Sequence, residues 1–168
     1  MRFKVARRNN DSICDTPEQL SEMMSHIRYA EFTKLKSPLE TFITTSGSCH
    51  DQVVLELQEL YDMGYIPVGK FIMAVDAYGQ GLETHSFAYY TDNEKYYWFE
   101  NAWRDFAGIH EFDNYDDMID FIMSAFSKRN EYDRLYIAEF IPEQHTIGED
   151  LQVFVDICMN SASEYKIT

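Results

Sequence analysis

The chain has 168 residues, of which 45% are hydrophobic and 15% aromatic, so it is long and apolar enough to bury a core. Its 29 acidic and 14 basic side chains give a formal net charge of −15, which disfavours binding to nucleic acid or to an anionic membrane surface. No internal repeat, linker or low-complexity stretch divides the sequence. We therefore expect a single globular domain over residues 1–168, with no nucleic-acid or membrane partner.

The N-terminal sequence and the cysteines indicate the compartment. MRFKVARRNND lacks the apolar run of a signal peptide, and the uncharged runs of the chain fall short of the ~18 residues of a membrane span. Cys14, Cys49 and Cys158 are odd in number and show no metal-like pairing, which indicates free thiols in a reducing environment. We expect a cytoplasmic protein; a secreted effector using another export route has the same sequence features.

The first predicted elements are two helices and a strand. A turn and N-cap signal at Thr16-Pro17 precedes apolar residues at helical spacing. A second helix is predicted from Cys49 to Met63, and Gly64 is placed to end it. The segment GKFIMAVDAYG is dense in apolar residues and closes on a glycine-containing turn, which predicts a strand.

The segment THSFAYYTDNEKYYWFENAW predicts a β-hairpin, because two aromatic-rich strands flank a turn that contains Asp and Asn. His85 lies near the start of the first strand, and Glu100 and Asn101 lie near the end of the second. Antiparallel pairing therefore brings these side chains back beside each other. A two-residue loop at Asp92-Asn93 sets His85 opposite Glu100. A three-residue loop sets it opposite Asn101 instead.

Three further elements follow the hairpin. NYDDMIDFIMSAF predicts a helix with Asn114 as its N-cap, RLYIAEFI predicts a strand, and residues 148–161 predict a last helix. The succession is a mixed α+β pattern. A denser acidic patch runs from Glu111 to Asp120, and we interpret it as a solvated helix start or as a surface for a basic partner.

Cys49 has the setting of a catalytic nucleophile. A thiol reacts as its thiolate, and both the positive end of a helix and a neighbouring imidazole lower its pKa. His85 can supply that imidazole, and Glu100 or Asn101 can fix its tautomer. Backbone N–H groups around Cys49 are then available to an oxyanion. The alternative is a structural role, since Cys49 also shares a helical face with Val53.

The remaining Cys and His residues indicate neither a metal site nor a cofactor. Cys49, His50 and Asp51 are adjacent, so their side chains point in different directions on a helix. His50 either lines the site beside the nucleophile or faces solvent, and we favour the solvent-facing position. The three remaining histidines show no spacing typical of a shared metal site; they are His26, His110 and His145. We expect structural roles for the other two cysteines.

Parts of the sequence resemble a known family. SGSCHDQVVLELQELYDMGYIPVGKFIMAV resembles the nucleophile segment of the transglutaminase-like superfamily of papain-fold thiol enzymes, where Gly-x-Cys-x-Asp opens a helix. Cys49 and Asp51 stand at the positions of that motif. WFENAW at 98–103 and GIHE at 108–111 are similar to motifs of small bacterial transglutaminase-like proteins. The resemblance covers residues 44–125.

The resemblance implies a fold and a set of site residues. The fold is a papain/transglutaminase-like α+β core, with the nucleophile at the N-terminus of a helix packed on an antiparallel β-sheet and helical additions at both ends of the chain. The implied nucleophile and base are Cys49 and His85. Asn101 matches the third position by spacing, whereas Glu100 matches the small bacterial group and carries the charge that better stabilises an imidazolium; we favour Glu100 slightly.

The resemblance also implies acyl transfer or hydrolysis on an amide, in a peptide or a glutamine side chain, through a thioester and without a metal or organic cofactor. Water as acceptor makes the protein a protease, amidase or deamidase, and an amine makes it a cross-linking transferase. We expect aromatic hairpin residues to wall the cleft, namely Tyr89, Tyr90, Tyr96, Tyr97, Trp98 and Trp103. The alternative is a catalytically inactive fold that serves as an acidic protein-interaction module.

Overall fold

The computed structural model describes residues 12–31 and 33–167. Residues 1–11, which carry the N-terminal sequence considered above, lie outside this range. The described helices and strands are α1 (Pro17–Met24), β1 (Arg28–Tyr29), α2 (Pro38–Thr44), β2 (Ser46–Gly47), α3 (Cys49–Asp62), β3 (Val68–Val75), β4 (Gly81–Asp92), β5 (Lys95–Glu100), β6 (Gly108–Phe112), α4 (Tyr115–Ser127), β7 (Arg134–Phe140), α5 (Leu151–Ser161) and β8 (Ser163–Tyr165).

A six-stranded sheet in the order β6-β5-β4-β3-β7-β8 forms the centre of the protein, and every neighbouring pair in it is antiparallel. The separate β1-β2 pair is parallel and lies immediately before α3. The predicted α+β class with an antiparallel sheet is therefore confirmed. Among the described residues, no helix combines the length and the apolar character needed to cross a membrane.

The two faces of the sheet are covered by different helices. One face packs against α3 and α5, through a buried cluster that includes Val53, Leu57, Phe71 and Phe154. The other face packs against α4, through a second cluster of aromatic and aliphatic side chains around Trp98. The first turn of α3 also meets the sheet, since His50 lies against Ser86 of β4 and Phe71 of β3.

The start and end of α3 follow from local sequence. Ser48 is the N-cap, and the Ser48 hydroxyl and the Asp51 carboxylate form a reciprocal capping box. Gly64, at φ +98, supplies the left-handed conformation just beyond the helix, where residues with a Cβ are disfavoured. The predicted helix from Cys49 to Met63 thus differs from the observed one by a single residue, since Met63 is its C-cap.

The predicted hairpin forms, but its loop lies one residue further along the chain than Asp92-Asn93. Asp92 pairs with Lys95, and the two loop residues Asn93 and Glu94 have φ of 51 and 64. A two-residue loop with positive φ at both positions matches the twist of the flanking strands, and Asn adopts that conformation readily. Neither predicted register is therefore correct: continued from Ala88–Phe99, the pairing sets Glu100 opposite Phe87.

Candidate active site

Cys49 is the first residue of α3 and is buried, with 6% of its surface exposed. The capping box fixes the chain around it: Ser48 Oγ accepts a hydrogen bond from Asp51 N at 3.3 Å, and Asp51 Oδ2 accepts one from Ser48 N at 3.1 Å. Asp51 Oδ1 also accepts a hydrogen bond from Lys36 N at 2.9 Å. The positive end of the helix dipole therefore lies at the thiol. Asp51 also links this first helical turn to the segment that contains Lys36.

His85 and Glu100 form a buried pair. The distance from His85 Nε2 to Glu100 Oε2 is 2.7 Å, and the two residues are 5% and 3% exposed. The β4–β5 register, continued by one residue beyond Ala88–Phe99, places Glu100 opposite Phe87. Since Phe87 is two residues along β4 from His85 and on the same face, the contact is a diagonal one between strands. Glu100 Oε1 accepts hydrogen bonds from the backbone N–H groups of Asn101 and Trp103, both at 3.0 Å. The carboxylate is thus held in place to orient the imidazole.

Asn101, the other predicted partner of His85, points elsewhere. Its Nδ2 donates to Gln52 Oε1 at 2.7 Å, and Gln52 Nε2 in turn donates to the Gly47 carbonyl at 3.0 Å. The side chain therefore braces the loop that leads into α3. The structure brings the side chain of Glu100 to His85 and leaves that of Asn101 on this structural network.

The thiol and the imidazole of this site have strongly perturbed pKa values. Burial acts to raise the pKa of Cys49, but the neighbouring His50 and His85 imidazoles outweigh it and lower the pKa to about 5. Burial acts to lower the pKa of His85, but the Glu100 carboxylate and the hydrogen-bonded Cys49 sulfur raise it to about 10. Both shifts favour a thiolate and an imidazolium at neutral pH.

His50 is 1% exposed, so the expectation that it faces solvent is wrong. The reason is tertiary: the first turn of α3 lies against β4 and α5. His50 Nδ1 is hydrogen-bonded to Ser86 Oγ, and its ring packs on Phe154 with centroids 5.0 Å apart. The imidazole also lines the same groove as Cys49.

Glu56 is a second buried group that sequence reasoning missed. It lies two helical turns after Cys49, on the same face of α3, and is 1% exposed. Its Oε2 has no hydrogen-bond partner among the described residues. Burial, followed by the nearby Glu100 charge, raises the pKa of Glu56 well above its ordinary value, which favours the neutral carboxyl. Its helical spacing from Cys49 was the available sequence signal.

An open groove of about 1580 Å³ leads to Cys49 and His85. Trp103 belongs to its wall, as predicted, whereas Trp98 is fully buried in the core. Both ends of the chain contribute to the groove, through Tyr29 before α2 and Gln152 on α5. Within the described residues, no group of His, Cys, Asp and Glu side chains has the arrangement of a metal site.

Comparison of the sequence with models of known protein families gives no match. A search of curated proteins gives no match either.

Proposed function

We propose that the protein is a transglutaminase-like thiol enzyme with a papain-like core, which transfers or hydrolyses the acyl group of an amide in a peptide or a glutamine side chain. The observation that carries this proposal is the Cys49-His85-Glu100 arrangement: a thiol at a helix N-terminus and an imidazole that a carboxylate holds at 2.7 Å both line one open groove.

The reaction begins with attack of the Cys49 thiolate on the amide carbonyl, which forms a C–S bond and a tetrahedral oxyanion. The His85 imidazolium then gives its proton to the leaving nitrogen, the C–N bond breaks, and a thioester and a free amine remain. Neutral His85 next accepts a proton from water or from a second amine as that group attacks the thioester. The C–S bond breaks, and the thiolate–imidazolium pair is restored.

Free backbone N–H groups beside the nucleophile support this proposal. Within the part of the chain that the structure describes, the amides of Cys49 and His50 donate to no protein acceptor. Donors at a helix N-terminus stabilise negative charge that develops nearby, and they need no rearrangement during the reaction. The oxyanion formed on Cys49 therefore has two donors available at the start of α3.

The alternative proposal is an acidic interaction module, and its supporting feature is the exposed patch that begins α4. Three carboxylates of that patch already have local partners: Asp113 with Lys95, Asp117 with Asn114, and Asp120 with the Tyr165 hydroxyl. Acidic side chains at the first turn of a helix also stabilise the helix itself. These local roles account for much of the patch, so we favour the enzymatic proposal.

The proposal is tested by the pH dependence of alkylation with iodoacetamide, resolved by residue with mass spectrometry, in wild type and in His85→Ala. We expect Cys49 to be alkylated rapidly at pH 6 in wild type and much more slowly in the variant. Cys158 serves as the internal control, because burial raises its pKa to about 12. Reaction of Cys49 with the profile of an ordinary thiol, centred near pH ~8.5, in the folded wild-type protein would contradict the proposal.

A further inference from the structure

The Ser86 hydroxyl determines which nitrogen of His50 carries the proton. Ser86 is fully buried, and within the described residues its hydroxyl has His50 Nδ1 as its hydrogen-bond partner and no other. A buried hydroxyl that does not donate its proton loses a hydrogen bond. Ser86 therefore donates to Nδ1, and neutral His50 carries its own proton on Nε2.

The same reasoning assigns the opposite tautomer to His85. Its Nε2 lies 2.7 Å from Glu100 Oε2, and a carboxylate accepts hydrogen bonds, so Nε2 carries a proton. Neutral His85 therefore has an unprotonated Nδ1, which can accept a proton from the thiol. Cys49 thus has two imidazoles nearby with different roles. His85 accepts a proton, and His50, whose tautomer is set by Ser86, donates a hydrogen bond.

We propose that His50 is a second catalytic residue, whose Nε2–H group donates a hydrogen bond to the Cys49 sulfur and then to the oxyanion that forms on the attacked carbonyl. Ser86 is its positioning residue. This inference deepens the proposed function and rests on it. Two placements support it: His50 lines the groove beside Cys49, and Ser86 occupies its Nδ1, which leaves Nε2 for a partner in the groove.

The packing around His50 favours a fixed donor over a mobile base. Its ring packs against Phe71 and Phe154, with centroid distances of 6.0 and 5.0 Å. A side chain packed in this way keeps its N–H group directed and does not have to become ordered during the reaction, which is the property that makes an oxyanion donor effective. The free backbone amide of Cys49 provides the companion donor.

The test separates thiolate reactivity from oxyanion stabilisation by using two probes. Iodoacetamide alkylates the sulfur and forms no oxyanion, whereas hydrocinnamaldehyde adds reversibly to the sulfur and forms a hemithioacetal. The oxygen of that hemithioacetal takes the position of the developing oxyanion. Aldehyde affinity is measured at pH 9, and alkylation at pH 9 and as a function of pH, in wild type, His50→Phe, His50→Gln, Ser86→Ala and His85→Gln, with folding checked by circular dichroism.

We expect His50→Phe, which keeps a packed ring but has no donor, to weaken aldehyde binding at pH 9 by about tenfold more than it slows alkylation at the same pH. Ser86→Ala should weaken aldehyde binding in the same direction, because Nδ1 then competes for the proton. His50→Gln restores a side-chain N–H donor and should recover part of the affinity. Wild-type aldehyde affinity in both His50→Phe and Ser86→Ala would overturn the inference.

Failure of the two proposals gives different results. If His85→Gln alkylates at Cys49 as wild type does over the whole pH range, the proposed function fails and the role of His50 fails with it. If alkylation depends on His85 but aldehyde affinity is unchanged by the substitutions at His50 and Ser86, the proposed thiol site is supported and His50 is a packing residue. If His50→Phe fails to fold, Ser86→Ala and His50→Gln give the decision.

Discussion

Cys49 and Cys158 are both buried cysteines on helices that pack against the same face of the sheet, yet their thiols have opposite properties. Cys158 lies in the last turns of α5 among apolar side chains, and burial raises its pKa to about 12. Cys49 lies at the first residue of α3, where two imidazoles lower its pKa to about 5 against the effect of burial. Burial alone therefore makes a thiol inert, and its position on the helix together with its polar neighbours reverses that effect.

The largest expected effect is the loss of activity in Cys49→Ala, and Cys158→Ala is its matched control. Cys49→Ala should abolish the burst of p-nitrophenol released from p-nitrophenyl acetate, because the acylated atom is gone. Cys158→Ala should leave the burst within about twofold of wild type, since a thiol kept protonated by burial does not attack an ester. The measurement is stopped-flow absorbance with enzyme in micromolar amounts. A burst that persists in Cys49→Ala would show that a residue other than Cys49 is acylated.

The next comparison is between Glu100 and Asn101. Glu100→Gln should slow the burst by about 100-fold, because the orienting carboxylate of the general acid–base is lost. It should also move the pKa of His85 down from about 10, which NMR titration of the ring measures. Asn101→Ala is the matched control: it should loosen the loop at Gln52 and leave the His85 titration near its wild-type position. The reverse order of effects would make Asn101 the third member of the site.

The sequence predicts the elements of this site better than their contacts. The N-terminus of α3 and the two strands of the hairpin carry local signals, namely a capping box and aromatic strands around a polar turn, so they are found within a few residues. The register depends on which residues adopt positive φ, and Asn93-Glu94 do so rather than Asp92-Asn93. The burial of His50 depends on the packing of α3 against β4 and α5, for which the first turn of a helix carries no signal.

Glu56 permits a prediction about stability. Its pKa is raised in the folded protein above the value of 4.5, so the folded state keeps a proton that the unfolded chain releases. The favourable contribution of that proton is complete below pH 4.5 and is lost as the pH rises towards the folded pKa. Glu56→Gln should therefore stabilise the protein above that pH, with the gain widening by up to about 1.4 kcal/mol per pH unit.

Urea unfolding at several pH values measures this gain. Glu59→Gln, on the same helix, is the matched control, because the Glu59 carboxylate accepts hydrogen bonds from Ser12 and Ile13 and its replacement should cost stability. A constant difference between Glu56→Gln and wild type across the pH range would show that Glu56 is ionised in the folded state.

The smallest expected effect is on the unfolding free energy, when the N-cap residues of the two cysteine-bearing helices, α3 and α5, are replaced. Ser48 caps α3 with a side-chain hydrogen bond, whereas Asp150 at the start of α5 makes none. Ser48→Ala should therefore cost about 1 kcal/mol of unfolding free energy, and Asp150→Ala less than about 0.5 kcal/mol because its exposed ion pair with Lys34 is weak. Ser48→Ala should also raise the alkylation midpoint of Cys49, since a frayed first turn weakens the helix dipole at the sulfur. Equal costs for the two variants would mean that tertiary packing, and not the cap, holds Cys49 at the helix start.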